Sequence, residues 1–419
     1  MLFNSPTFIL FFVVVLSAYW LLRSSLRAQN RLLLLASYFF YGVWSWKFLL
    51  LLWLSTLLDY TCGRLIGAAQ DPRRRRAIVI VSAVANLTFL GIFKYAGFFV
   101  RETAELLTAL GFQPHFRVLQ FVLPVGISFY TFQSLSYVID VYRRKLAPVR
   151  RLEDYALFVA FWQQLVAGPI ERATRLVPQL TQPRKFSAVA LESGIQLMLW
   201  GLFKKIVIAD NLAPYVNAVF QDPASYSGLA LAQGVLFFAF QIYCDFSGYS
   251  DTARGAARTL GIEIMANFDL PYFSRNPVEF WRRWHISLSQ WFQDYLYYPL
   301  AMHYLRKVGF ASRYKAHIVS MTLIGLWHGA NWTFVAFGLY WGVLLAGYLF
   351  IKESVSSSSE PRARSPFSGW VSGTSSAVLM FAIACGGWLL FRAESIQQAV
   401  YMASHLFSTA GARTVTRPD

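Results

Sequence analysis

Long apolar runs separated by short basic segments dominate this sequence, and they restrict the chain to architectures that live in a bilayer. "PTFILFFVVVLSAYWLL", "AIVIVSAVANLTFLGIFKYAGFFV" and "SSAVLMFAIACGGWLLF" each approach the ~20 residues that an α-helix needs to cross the hydrocarbon. No water is available there to pair backbone N–H and C=O groups, so such runs are read as helices. Composition agrees: 56% of the 419 residues are hydrophobic, only 14% are charged, and the mean hydropathy is +0.42. A soluble globular chain carries roughly a quarter charged residues. The expected fold is all-α, a polytopic membrane protein of about ten to twelve helices by hydropathy length.

The formal charge of +17 would raise the question of nucleic acid in a soluble protein. Here the basic residues collect between apolar runs and the aromatics lie within or at the ends of those runs, which is the pattern of membrane orientation and interface anchoring. No nucleic-acid partner is expected; the bilayer is. The first run has no basic residue ahead of it and no small-residue cleavage site, so it reads as a retained helix. "RLLLLASYFFYGVWSWKFLLLLWLSTLLDYTCG" has the length of two crossings, with a turn near Trp44 to Lys47. Basic residues flank that hairpin on both sides: Arg23, Arg27 and Arg31 before it, Arg73 to Arg76 in "DPRRRRA" after it. Lys/Arg bias in short loops marks the cytoplasmic side. Two further crossings return the chain to "RRKLAPVRR", Arg143 to Arg151, on that same side. The expected placement is multi-pass, with these basic segments in the cytoplasm and the N-terminus on the outside.

Several runs are too interrupted to be simple crossings. Leu123-Pro124-Val125-Gly126, Gly168-Pro169-Ile170-Glu171 and Asn276-Pro277 break them, and broken helices at membrane depth are tolerated only where they line a cavity or are buried in protein. Broken or re-entrant helices around a pocket are therefore expected. "KESVSSSSEPRARSP", 352–366, reads as a flexible loop. No internal period appears, so the chain reads as a single domain, 1–419, rather than as the paired halves of many transporters. Cys62, Cys244 and Cys385 are far apart and suggest no disulfide framework.

The signatures of soluble enzymes are missing: no GxSxG, HExxH, GxxxxGK[ST] or GxGxxG occurs. Polar islands in apolar surroundings remain. His328, in "TLIGLWHGANWT", is one; an ionisable side chain in such a run is a functional candidate by default. The competing reading is a core histidine satisfied by backbone or by Asn331. Gly325, Gly329 and Ala330 leave room beside it for a substrate, or for close helix packing. "NPVEFWRRWHISLSQWFQDYLYYPL" is the second island. Asn276 can cap a helix with Pro277 at its first position, and helical spacing puts Trp281, Trp284, His285, Leu288 and Phe292 on one stripe. An interfacial Trp/Arg helix with an incidental histidine is the alternative. In the third island Ser247-Gly248 allows a bend, and Asp245 either orients a histidine or an arginine, or pairs with Arg254 at the surface. His115, His303, His317 and His405 read as incidental, and no spacing argues for a metal site.

Taken in order, "PVGISFYTFQSLSYVIDVYR", "FWQQLVAGPIER", "YCDFSGYSD", "DLPYFSRNPVEFWRRWHISLSQWFQDYLYYPL", "LIGLWHGANWTFVAFGLYWG" and "FRAES" resemble the membrane-bound O-acyltransferase family, in particular its bacterial alginate O-acetyltransferase branch. The resemblance runs from about Pro6 to Ser395. It implies a catalytic role for His328, from the family's "WHG" histidine, and a second site position at His285. It also implies O-acetylation of an extracytoplasmic polysaccharide, a tunnel in which the two histidines meet, and hand-over of the acetyl group to partner acetyltransferases outside the inner membrane. No bound cofactor is implied; acetyl-CoA is the natural candidate donor. Two other readings stay open: the same chemistry on another envelope polymer of peptidoglycan or teichoic-acid type, and a secondary transporter. Members of this branch continue past "FRA" into a further helix, whereas this sequence ends at Asp419. Either that element is absent or the sequence stops short of it.

Overall fold

The computed structural model describes residues 1–112, 123–166, 168–309, 312–356 and 366–408, without the side chains of 307–308, 355–356 and 366–372. His115 and most of the Ser/Pro-rich loop lie outside the described residues. The described chain is helical throughout and forms two compact units, residues 1–202 with 249–266, and residues 203–248 with 267–419.

The first unit holds α1 (Pro6–Leu21), α2 (Leu26–Ser45), α3 (Lys47–Ala68), α4 (Pro72–Ala109), α5 (Ile127–Tyr142), α6 (Leu152–Ala160), α7 (Trp162–Leu165), α8 (Ala173–Thr181) and α9 (Ala188–Leu202). Side-chain caps set the starts. Ser5 Oγ accepts from Phe8 N at 3.2 Å with Pro6 in the first turn, and Ser25 Oγ accepts from Ala28 N at 3.3 Å. The hairpin of α2 and α3 turns at Trp46, within the expected Trp44 to Lys47. Arg73 to Arg76 are not a loop. Asp71 caps them into the first turns of α4, accepting from Arg73 N at 2.9 Å, and α4 then runs for 38 residues.

The interrupted runs fold as short buried pieces. α6 and α7 are buried from Tyr155 through Leu165, and Trp162 sits among Phe3, Phe8, Phe11, Phe12 and Phe40 at ring distances of 5.5–6.4 Å. The backbone freed by the break is re-paired locally: Trp162 N donates to Ser37 Oγ at 3.2 Å and Gln164 Nε2 to Phe158 O at 2.6 Å. Gly126 begins α5 at φ +78°, and a Cβ there would lie 2.1 Å from Leu165 O, so only glycine fits.

The second unit holds α10 (Asp210–Gln221), the first part of α11 (Gly228–Thr259), α12 (Pro277–Arg283), α13 (Ile286–Phe292), α14 (Tyr298–Val308), α15 (Ser312–His328), α16 (Trp332–Ser356), α17 (Pro366–Arg392) and α18 (Ile396–His405). α11 passes through Ser247-Gly248 as unbroken helix, so the bend that this pair would allow is not used. Among the described residues five helical segments are long and apolar enough to cross a membrane: α3, α4, α11, 332–354 of α16 and 373–392 of α17. Pro6–Leu21 is apolar but shorter, at 16 residues.

α15 and α16 pack backbone to backbone through glycine. A Cβ on Gly325 would meet Phe334 O at 2.1 Å, and one on Gly338 would meet Met321 O at 2.3 Å. These glycines serve helix packing, one of the two roles open for Gly325. Gly338→Ala is expected to lower the thermal unfolding midpoint in detergent, at a cost of roughly 1–3 kcal/mol for overpacking. Gly347→Ala, where a Cβ meets nothing within 4 Å, should leave it unchanged. Equal midpoints for the two variants would contradict the close approach.

Candidate active site

Asn276 starts the tryptophan-rich segment as expected: its Oδ1 accepts from Glu279 N at 2.9 Å with Pro277 in the first turn, and Glu279 reaches back to Arg275 N at 2.9 Å. The expected continuous helical stripe does not form. α12 ends at Arg283, and His285 adopts a left-handed backbone, φ 43° and ψ 56°, before α13 begins. Asn267 is the cause. Its carbonyl accepts from Ile286 N at 2.9 Å, and its Oδ1 accepts from Ser287 Oγ at 2.6 Å and Ser287 N at 3.3 Å. These bonds offer the backbone an alternative to the helical ladder.

The break turns the His285 ring into the protein, where it is 1% exposed. Phe246 meets it edge-on at 4.6 Å and Trp327 lies 6.1 Å away. Neither ring nitrogen has a partner among the described residues. His285 lies outside the five membrane-length segments, and burial pushes its pKa down to about 3, which holds the imidazole neutral. A neutral imidazole offers one N–H donor and one acceptor lone pair. Leaving both unfilled costs of the order of 1–3 kcal/mol per group, and a left-handed non-glycine residue adds about as much. Both costs at one residue point to a place kept for a ligand.

His328 is the last residue of α15, half-buried beside the turn at Gly329 and Ala330. Its ring lies 4.7 Å from Trp327, 5.1 Å from Phe391 and 6.1 Å from Phe337, all edge-on. Trp327 thus touches both candidate histidines. Asn331 does other work: its Oδ1 accepts from Thr333 N at 3.0 Å, and its Nδ2 donates to Glu394 O at 2.9 Å, fixing the start of α16. Two histidines joined through one tryptophan, one buried and neutral and one at a helix end, suit proton transfer beside a bound ester or thioester.

Asp245 pairs with Lys205 at 2.6 Å rather than with Arg254, whose partner is Asp251 at 3.2 Å. The π-helical turn Phe203–Ala209 carries Lys205, whereas Arg254 lies on the same helix as Asp245 about 13 Å further along its axis, out of reach. His405 bonds its own helix, to Tyr401 O at 2.8 Å, and the His317 ring lies tilted against Tyr297 at 4.3 Å. Sequence reasoning missed three polar residues. Asn267 shapes the His285 turn. Lys204 is buried in the π-turn and donates to Ser247 Oγ at 3.0 Å. In the first unit Asp59 is fully buried, accepting from Ser82 Oγ at 2.5 Å and Asn86 Nδ2 at 2.9 Å. The available signal was a lone Asp or Lys inside an apolar run, the same signal that singled out His328.

Residues 38–385 match the sequence profile of MBOAT, the membrane-bound O-acyltransferase family. The chain is 41% identical over 410 residues to "Probable alginate O-acetylase AlgI" of Pseudomonas aeruginosa, an alignment covering 97% of this chain and 75% of that one. It is 35% identical over 380 residues to the peptidoglycan O-acetyltransferase of Helicobacter pylori, covering 83% and 70%. To the teichoic acid D-alanyltransferase of Bacillus subtilis it is 28% identical over 249 residues, covering 58% and 62%.

Proposed function

The chain belongs to the membrane-bound O-acyltransferase family, and from that premise we propose that it O-acetylates alginate through His328 and His285. It is a multi-pass membrane enzyme of the O-acyltransferase class, read as one domain over 1–419. The observation that carries the site is the pair of histidines packed on Trp327. His328 acts as general base: it takes the proton of the attacking hydroxyl as the oxygen adds to the acetyl carbonyl, and returns it to the leaving group as the tetrahedral intermediate collapses. His285, neutral and unpartnered, holds donor or acceptor by its free N–H and lone pair in a tunnel that excludes bulk water.

Alginate is favoured over peptidoglycan because the alginate relative matches at higher identity over more of the chain. The donor is an acetyl thioester from the cytoplasmic side, acetyl-CoA in this reading. Periplasmic or membrane-anchored acetyltransferases receive the acetyl group. The test is complementation: in a bacterium lacking its own alginate O-acetylase, this chain should restore ester groups on alginate and leave peptidoglycan esters unchanged. The reverse pattern would reassign the polymer.

The same reading places the protein in the inner membrane with its N-terminus in the periplasm. Single cysteines at Asp71 and Ala147, both exposed, should react with a membrane-impermeant maleimide only after the cells are opened. The native cysteines are buried or half-buried and give a low background. Labelling of either position in intact cells would invert the topology.

A further inference from the structure

We infer that the first unit carries a binding site for the phosphate head group of an anionic membrane lipid, separate from the acyl-transfer chemistry. A cavity of about 360 Å³ opens between the first turn of α2, the segment 147–151 and the last turn of α8. That volume lies within the roughly 300–1,000 Å³ of small-molecule sites. Arg27, Arg150 and Arg151 line it, against a single carboxylate, Asp154. Asp154 is engaged, accepting from Asn30 Nδ2 at 3.3 Å. Among the described residues none of the three arginines forms an ion pair, whereas the neighbouring Arg31 is neutralised by Glu153 at 2.9 Å.

A fourth guanidinium stands behind this wall. Arg184 is nine-tenths buried, lies 5.5 Å over the Tyr19 ring and donates through Nη2 to Oδ1 of Asn30, itself a lining residue. Its Nε and Nη1 have no hydrogen-bond partner among the described residues. Asp154 is the carboxylate that acts on Arg184 electrostatically, and one carboxylate against four guanidinium groups leaves a net positive potential for an anion from outside the chain.

The floor decides the source of the phosphate. Leu26, Val149 and Val177 line the same cavity, so the site joins a cationic rim to an apolar base. A free phosphate or pyrophosphate has nothing to place on that base, whereas a phospholipid has its glycerol and upper acyl carbons. The cavity also lies among the arginines that orient the chain in its membrane, where basic pockets meet anionic head groups.

The test reads lipid binding rather than acetylation, so it stands or falls independently of the proposed function. Protein purified in neutral detergent is mixed with phosphatidylglycerol or phosphatidylcholine, and bound lipid is counted by native mass spectrometry. Phosphatidylglycerol should bind the wild-type chain in preference to phosphatidylcholine. Each arginine at an anionic lipid is worth roughly fivefold in binding, so Arg150→Gln with Arg151→Gln should cost about 25-fold. Arg150→Glu with Arg151→Glu should abolish the preference. Arg73→Glu with Arg74→Glu, charge reversals away from the cavity, should keep it. A monodisperse elution profile for the Gln pair guards against a folding defect. Preference unchanged in the Gln pair would overturn the proposal. So would binding of inorganic pyrophosphate that displaces the lipid, which would make soluble phosphate the ligand.

Discussion

At matched membrane expression His328→Gln is expected to bring alginate acetylation to background while the polymer itself is still made. Glutamine preserves length and hydrogen bonding but cannot accept a proton near neutral pH. A positioned general base contributes about 10²–10⁴-fold, so the loss should fall in that range. The structure makes this variant more informative than His328→Ala. Flanking Gly329 and Ala330 suggest from the sequence that removing the ring costs little packing, yet the ring contacts Trp327, Phe337 and Phe391. Truncation to Ala leaves a void among three aromatics and mixes a packing loss with a chemical one. His328→Phe separates the two from the other side, since it keeps a ring in the cluster and removes both nitrogens. Background acetylation in both Gln and Phe, from protein that elutes normally, assigns the loss to chemistry. Near-normal ester content in the Gln variant would place the base elsewhere and leave His328 an organiser of the aromatic cluster.

What the sequence made legible is what is local in it. The α2–α3 turn at Trp46 and the Asn276 cap with Pro277 and Glu279 are written within a few residues, and they appear where expected. The breaks at Gly126 and Gly168-Pro169 are also local, because glycine and proline alter the backbone they occupy. What stayed hidden is long-range. The 3.6-residue period continues a helix through His285, and nothing between Pro277 and Phe292 forbids it. The interruption comes from Asn267, 20 residues before Ser287, whose side chain captures the donors of that turn. The Asp245–Lys205 pair and the Asp59–Ser82–Asn86 network depend in the same way on which helices become neighbours. The helical stripe that singles out His285 in the sequence therefore does not exist in the fold. The turn that replaces the stripe is a stronger argument for His285, because it buries a ring whose nitrogens have no partner among the described residues.

That turn makes the expected response of His285 specific. His285→Leu should abolish or nearly abolish acetylation, because it keeps the bulk against Phe246 and Trp327 and removes donor and acceptor together. His285→Asn should retain a measurable part of the activity. Asparagine tolerates the left-handed backbone at φ 43° better than most residues and carries one donor group and one acceptor. A purely structural histidine predicts a different order. There, losing two unsatisfied polar atoms stabilises the buried site, so Leu should raise the unfolding midpoint and keep activity. The pH profile adds an independent readout. With its pKa down at about 3, His285 does not titrate between pH 5 and 8, so a His285→Asn enzyme should keep the wild-type pKa values at reduced amplitude. Asn267→Ala extends the test to the backbone, since it removes the Oδ1 that holds Ser287 without touching the imidazole. Its activity should fall towards that of His285→Leu if the turn presents the ring to substrate. Full activity in both His285→Leu and His285→Asn would remove His285 from the mechanism, leaving His328 to act with groups other than this ring.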